Sequence, residues 1–398
     1  MMQTRNRRTL LSLVVAAVAI LAGGPKARAQ ELAYVLAREA NAVSVIDAGS
    51  GTLRSTVSFA ADDLSELRDV VVARDGAFAF ISAFEQVGVF DVASSRLVAR
   101  IPVPRGCSPG RLAISPNGNE LWAGDDEDCP NIWIIDPQLY GIIDTLSLAP
   151  EDYDGVAAIT FIPGTTGVLG ITNGYTDYFI GDVFKLDAVT RQPRGRLPLT
   201  SSRITDAATS PDGHFTYAAI AYYPSRLVIV DNVSLTVVDT VGLPRYVRAL
   251  AVNRDGSRLY AVSSTDTVDA TQSDTVVSVV DASTRTVRQL ASLSGRAGRV
   301  ALTRDDRSLL VPLTDAEGSV ARIDATTGTV MGSTPVGKEP VAIVLGARDD
   351  SAGSATDTSG CAIAGHSGSG AIWIAPLLVL VFVCGRTVFS QLYDERGA

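Results

Sequence analysis

Short apolar segments that end in aspartate recur along the whole chain. Between them lie turn residues and other short runs rich in Val, Ile, Ala and Thr, a composition that favours strands over helices. Successive aspartates are 44, 45, 51, 44, 50 and 43 residues apart. The seven are Asp47, Asp91, Asp136, Asp187, Asp231, Asp281 and Asp324. A period of this length predicts repeated units of several strands each, and it excludes coiled-coil heptads.

Tight-turn signals mark a second point in most units. They are Asp75-Gly76, Asn117-Gly118, Pro163-Gly164, Asp212-Gly213, Asp255-Gly256 and the degenerate Asp305-Asp306. With an apolar strand on each side of this turn and two more after it, each unit reads as four antiparallel strands. One such sheet cannot bury both faces unless neighbours stack on it. The sequence therefore predicts an all-β, seven-bladed β-propeller, in which the seven aspartates cap turns.

The ends of the repeat region predict how the two termini are used. The first unit starts at residues 33–36 without an innermost strand, and the apolar run 340–344 is left over after the seventh unit. We expect residues 33–37 and 340–345 to share one sheet. This pairing of the N-terminal and C-terminal strands would close the ring and protect two exposed strand edges.

The repeat resembles the YVTN family of β-propeller proteins. Its Ser-Pro-Asp-Gly turn at 210–213, the segment 41–47 and the segment 327–337 carry the likeness, which covers about residues 31–346. The resemblance implies the propeller fold but no particular activity. We expect a binding or scaffold module. The alternative is an envelope enzyme of the propeller lactonase or quinoprotein-like type that uses the mouth of the channel.

Residues 1–29 have the pattern of a cleaved signal peptide. Three arginines precede an apolar run at 10–22, which is too short to span a bilayer comfortably, and small residues lead to a cleavage site after Ala29. Removal of this segment would delete five basic residues and no acidic one, so the formal charge of the chain would fall from −9 to −14. So acidic a chain is unsuited to nucleic acid.

The C-terminal region predicts a membrane anchor. Residues 347–360 read as a flexible linker, and 361–398 contain an uncharged run at 371–385. The Gly-Cys motif at Cys361 resembles bacterial C-terminal sorting signals of the MYXO-CTERM or JDVT-CTERM type, which implies processing at that cysteine. We expect an exported monomer with its propeller at 30–346, held in the bacterial envelope, in the periplasm or on the cell surface. The alternative for the apolar run is a helix docked on the propeller.

Residue types in the propeller region narrow the chemistry. His214 is its single histidine, which excludes multi-histidine zinc sites and disfavours a Ser-His-Asp triad. No carboxylate pair has a spacing that separates catalysis from turn capping. Cys107 and Cys129 fall on the same face of the third blade, and export permits a disulfide between them.

Two sets of charged residues are candidates for binding at the face where ligands dock. An acidic set would hold calcium, which is the one cofactor considered: Asp125, Asp126, Asp128, Glu151, Asp152 and Asp154. A basic set near the starts of innermost strands would draw in an anionic small molecule or protein partner: Arg68, Arg111, Arg248 and Arg299. The alternatives are solvated loops for the acids and pairing with neighbouring carboxylates for the arginines.

Overall fold

A computed structural model describes the repeat region as seven β-sheets around an axis. The described residues are 31–60, 62, 64–126, 131–148, 155–173, 181–199, 203–221, 224–265 and 273–346. They form 29 strands and no helix, so the predicted all-β, seven-bladed propeller is confirmed. Within these residues nothing is helical and apolar enough to cross a membrane. The predicted signal peptide, linker and anchor, with Ala29 and Cys361, lie outside the described residues.

The first four blades are built from consecutive strands, except that blade 1 also takes a strand from the end of the repeat region. Blade 1 contains β1 (Leu32–Ala37), β2 (Ala42–Asp47), β3 (Leu53–Ser58) and β29 (Pro340–Leu345). Blade 2 contains β4 (Asp69–Val72), β5 (Phe78–Ala83), β6 (Gln86–Asp91) and β7 (Arg96–Pro102). Blade 3 contains β8 (Pro109–Ile114), β9 (Leu121–Asp125), β10 (Asn131–Asp136) and β11 (Gly141–Ser147). Blade 4 contains β12 (Val156–Phe161), β13 (Gly167–Thr172), β14 (Gly181–Asp187) and β15 (Pro193–Leu199).

The last three blades follow the same order from the axis outwards. Blade 5 contains β16 (Ile204–Thr209), β17 (Phe215–Ile220), β18 (Arg226–Asp231) and β19 (Thr236–Gly242). Blade 6 contains β20 (Tyr246–Val252), β21 (Arg258–Ser264), β22 (Asp274–Asp281) and β23 (Val287–Ser294). Blade 7 contains β24 (Arg296–Ala297), β25 (Ala301–Leu302), β26 (Ser308–Thr314), β27 (Ser319–Asp324) and β28 (Val330–Pro335).

Strands from the two ends of the described chain share the sheet of blade 1. β29 lies at the inner edge and pairs antiparallel with β1, so that Tyr34 faces Val344 and Val35 faces Ile343. Blades 7 and 1 also share a buried apolar cluster that includes Leu310. Because β1 and β29 run in opposite directions, Leu32 and Leu345 lie at the same end of the sheet.

The core is divided into seven apolar clusters, one between each two neighbouring sheets. Between blades 3 and 4, for example, the fully buried ring of Trp122 meets Phe161 edge to face, with the ring centroids 5.6 Å apart. Burial of both sheet faces at about 25 cal/mol per Å² of apolar surface is the main driving force for such stacking. No blade can obtain it alone, which is why the sheets stack on one another.

The tight turns between first and second strands have the conformation that their sequence predicts. Gly76, Gly118, Gly164, Gly213 and Gly256 all have φ between 73° and 77°. In the degenerate turn of blade 7 a non-glycine residue, Asp306, takes this place with φ 58°. Aspartate tolerates the left-handed region better than most residues, so the turn is retained without glycine.

The seven repeat aspartates cap the turns between third and fourth strands, as predicted. In blade 6 the Oδ1 atom of Asp281 accepts hydrogen bonds from the backbone N–H groups of Ser283 (2.9 Å) and Thr284 (2.8 Å). Equivalent backbone N–H bonds reach the other six: Asp47, Asp91, Asp136, Asp187, Asp231 and Asp324. Those backbone N–H groups favour the ionised carboxylate, so they lower the pKa of Asp281 to about 2.

The fourth residue after each repeat aspartate has positive φ, and in several blades its side chain contacts the preceding blade. Glycine occupies this place in only two blades. Elsewhere packing offsets the strain: Tyr140 meets Phe78 edge to face at 6.2 Å, and the guanidinium of Arg285 lies 5.9 Å from the ring of Phe215. Side chains at this position therefore fasten these blades to their neighbours on the face where these turns lie.

We expect Asp281→Ala to lower the melting temperature by a few degrees at pH 6, because two backbone N–H groups lose their acceptor. The folded pKa of Asp281 lies below that of an unfolded aspartate, so its stabilisation is present above about pH 4 and is lost as the pH falls towards 2. The difference between variant and wild type should accordingly narrow over that range in thermal unfolding followed by circular dichroism. Glu317→Ala, an exposed turn residue, is the control. A pH-independent difference would contradict the assignment.

Candidate functional site

A cavity of about 390 Å³ opens at the end of the axis where the innermost strands begin. Seven arginines from six of the blades line it, and all four of the arginines predicted from the sequence are among them. They are Arg38, Arg68, Arg111, Arg203, Arg248, Arg296 and Arg299. We call this cavity the arginine mouth. Two carboxylates, Asp126 and Glu339, are the acids among its described lining residues.

Arg299 forms the floor of the mouth by reaching across the axis. It belongs to the break between β24 and β25, where its backbone N–H donates to the carbonyl of Val341 in blade 1 (2.9 Å). Its Nη1 lies 2.6 Å from Oδ2 of Asp69 in blade 2, and its Nη2 lies 3.5 Å from Oδ1 of Asp206 in blade 5. One guanidinium thus links blade 7 to blades 2 and 5.

The two aspartates beneath the mouth occupy equivalent places in their blades. Oδ2 of Asp69 accepts the backbone N–H of Leu112 in blade 3 (3.1 Å), and Oδ2 of Asp206 accepts that of Leu250 in blade 6 (2.9 Å). Both carboxyl groups are almost completely buried. Burial alone would lower the pKa of Arg299, but the charges of Asp69 and Asp206 raise it on balance, so this guanidinium stays charged.

At the rim, carboxylates hold three of the arginines. Nη1 of Arg68 lies 2.9 Å from Oδ2 of Asp126, and its Nη2 lies 3.3 Å from a carboxylate oxygen of Glu66. Arg38 and Arg296 share a single acceptor, Oε1 of Glu339, at 3.4 and 3.6 Å. Pairing with neighbouring carboxylates, the alternative raised by the sequence, is therefore confirmed for Arg68 and Arg299.

The remaining arginines contact a backbone carbonyl or an aromatic ring. Nη2 of Arg111, in blade 3, donates to the backbone carbonyl of Thr205 in blade 5 (2.9 Å), so its guanidinium lies on the blade 5 side of the mouth. Arg203 and Arg248 approach the ring of Tyr246, with guanidinium carbons 5.9 and 5.0 Å from its centroid. These cation–π contacts orient both side chains.

Sequence reasoning missed three of the arginines: Arg38, Arg203 and Arg296. Arg203 and Arg296 each lie nine residues before the turn aspartates Asp212 and Asp305 of their own blades. Arg68 and Arg248 lie seven residues before the turn residues Asp75 and Asp255 of their blades. Arg111 and Arg299 lie six residues before Asn117 and Asp305. Aligning the blades on their turns would have found Arg203 and Arg296, but not Arg38, which belongs to the turn after β1.

The structure describes two of the six acids predicted to bind calcium. Oδ1 of the buried Asp125 accepts the backbone N–H of Ser108 (2.6 Å), and Asp126 pairs with Arg68. The other four lie outside the described residues: Asp128, Glu151, Asp152 and Asp154. Within the described part of the chain no group of three or more Asp, Glu, His or Cys side chains converges on one point. The calcium site stays a prediction.

The predicted disulfide also stays a prediction, since Cys129 lies outside the described residues, whereas Cys107 is buried just before β8. His214 follows the tight turn of blade 5 and is exposed.

No protein-family model and no curated protein matches the chain. Among solved structures it is similar to a functionally unknown protein from Desulfotomaculum acetoxidans (TM-score 0.62, 15% identity, covering 80% of this chain and 99% of that one). It is also similar to a putative 6-phosphogluconolactonase from Bacteroides uniformis (TM-score 0.61, 14% identity, covering 80% of this chain and 100% of that one). A third similar structure is the dihydro-heme d1 dehydrogenase NirN (TM-score 0.53, 16% identity, covering 80% of this chain and 76% of that one). At these identities the likeness shows the fold alone.

We expect Arg299→Gln to lower the free energy of unfolding by about 3 kcal/mol, because it leaves the carboxylates of Asp69 and Asp206 buried without their shared counter-charge. Arg54→Gln is the control, since it removes a half-exposed arginine 3.4 Å from Asp47 and should cost less than about 1 kcal/mol. Chemical denaturation of the two variants gives the comparison. Equal losses would show that Arg299 does not hold the blades together.

Proposed function

We propose that this protein is a binding module that captures an anionic ligand in the arginine mouth. One observation carries the proposal: seven arginines from six blades converge on a single cavity, although the chain as a whole is acidic. Carboxylates lie within salt-bridge distance of four of these arginines, namely Arg38, Arg68, Arg296 and Arg299. Such a concave positive site concentrates anions from solution.

The geometry of the cavity supports the same conclusion. Its volume of about 390 Å³ lies in the range of small-molecule sites. Several of its guanidinium groups are already fixed by carboxylates, a carbonyl or an aromatic ring. An anion that enters therefore meets oriented donors, and the entropy cost of ordering them is reduced. The similar solved structures favour neither binding nor catalysis.

We also propose that the repeats are of the YVTN kind and that the protein is exported and held in the bacterial envelope by its C-terminal segment. The basic-then-apolar pattern of residues 1–29 and the uncharged run at 371–385 support this. The scaffold then presents the arginine mouth outside the cytoplasm.

Anion binding is measured by isothermal titration calorimetry and thermal shift with acetate, sulfate and citrate at low ionic strength. We expect at least one of them to bind and to raise the melting temperature, with affinity that falls as salt is added. The double variant Arg203→Gln with Arg248→Gln should weaken binding about tenfold or more. Arg307→Gln is the matched control because Arg307, 74% exposed, lies in the turn of blade 7 away from the mouth. Absence of binding, or equal affinity in the double variant, would sink the proposal.

The anchor is tested by cell fractionation. A chain truncated after residue 350 keeps every strand of the propeller and loses the apolar run. We expect it to leave the membrane fraction as a folded, soluble protein, whereas the full-length chain stays membrane-associated. A truncated protein that still sediments with membranes would contradict the C-terminal anchor.

A further inference from the structure

Charge in the arginine mouth is compensated unevenly. Arg299 and Arg68 each lie within salt-bridge distance of two carboxylates. Arg38 and Arg296 share one. No described carboxylate lies within salt-bridge distance of Arg111 or Arg203, which contact a carbonyl and an aromatic ring. Arginines in different surroundings are therefore found in two places.

The first place is formed by Arg111, Arg203 and Arg248, and we call it the blade 5 cluster. Arg203 directly precedes β16 of blade 5, and Arg248 lies in β20 of blade 6. Arg111 comes from blade 3, but its hydrogen bond to Thr205 brings its guanidinium to the same side. Three guanidinium groups on one side of the mouth can bind one carboxylate, sulfate or phosphate group.

The second place is formed by Arg38, Arg296 and Glu339, and we call it the Glu339 cluster. It lies where blades 7 and 1 meet, which in a seven-bladed ring is away from blade 5 across the axis. Glu339 has φ 54° and is followed by Pro340, a combination that the residue before proline rarely adopts. Its carboxylate is 17% exposed and lies between the two arginines. The fold thus supplies an anion of its own at this point.

We propose, on the basis of the anion-binding function, that the ligand is a small organic anion carrying at least two anionic groups. One group binds the blade 5 cluster, and a second binds Arg38 and Arg296 in competition with Glu339. A single anionic group gains little at the Glu339 cluster, because the tethered carboxylate is always present there at high local concentration. A group joined to one already bound at the blade 5 cluster also has a high local concentration and competes effectively.

Glu339 is accordingly a specificity-determining residue of the mouth. Its carboxylate partly neutralises the two arginines and so lowers the affinity for simple monoanions. Removing that charge should open the second position to any anion. The selectivity between dianions and monoanions should then decrease.

The proposal is tested by calorimetric titration of the full-length protein in non-ionic detergent, at constant ionic strength. The probes are acetate, then the dicarboxylates malonate, succinate, glutarate and adipate, then citrate. We expect at least one dicarboxylate to bind about tenfold or more tightly than acetate. Arg203→Gln and Arg296→Gln should each reduce that affinity to the acetate level, whereas Arg307→Gln should not change it. Thermal unfolding checks that each variant is folded. If Arg296→Gln does not fold, Arg296→Lys replaces it in the titrations.

Glu339→Gln supplies a readout that loss of folding could not produce, since the affinity for acetate should rise several-fold while the advantage of dicarboxylates shrinks. If anions bind but every dicarboxylate is equal to acetate, or if Arg296→Gln leaves the best dicarboxylate unaffected, the two-group ligand is wrong and the anion-binding function stands. If no probe binds the wild-type protein, both fail together.

Discussion

Each four-stranded sheet of this protein has two apolar faces, and the need to bury both is the constraint on which the structure depends. Seven clusters satisfy it, one between each two neighbouring sheets. Near the axis, charged side chains from the innermost segments of different blades meet one another. Arg299, Asp69 and Asp206 form a charged network in which every member has a partner on another blade.

That network also shapes the site above it. Arg299 is held by two carboxylates and closes the floor of the mouth. Its side chain is 30% exposed. The free-energy cost of burying Asp69 and Asp206 is offset by this arginine and by backbone N–H groups from the next blade. The arginines nearer the rim are left to meet a ligand. Under the proposed function, Arg299 stabilises the fold and other arginines of the same cavity bind the ligand.

Local sequence signals were sufficient for features that one blade determines alone. The turn at Gly213 and the cap made by Asp281 depend on a few neighbouring residues, so their conformations follow from the pattern. The structure of the mouth does not follow from local sequence, because contacts such as that of Arg111 with Thr205 join residues 94 apart in the chain. They exist only when strands of different blades come together around an axis. The residue before Pro340 gives no sequence signal for its left-handed conformation.

β1 and β29 run between the mouth and the opposite end of blade 1. β29 begins at the mouth with Pro340 and ends with Leu345 at the far face, where β1 also starts. Whatever continues the chain beyond Gly346 therefore begins roughly 20 Å from the arginines, at six residues of strand. The last described residue of the chain and the arginine mouth therefore lie at opposite ends of blade 1.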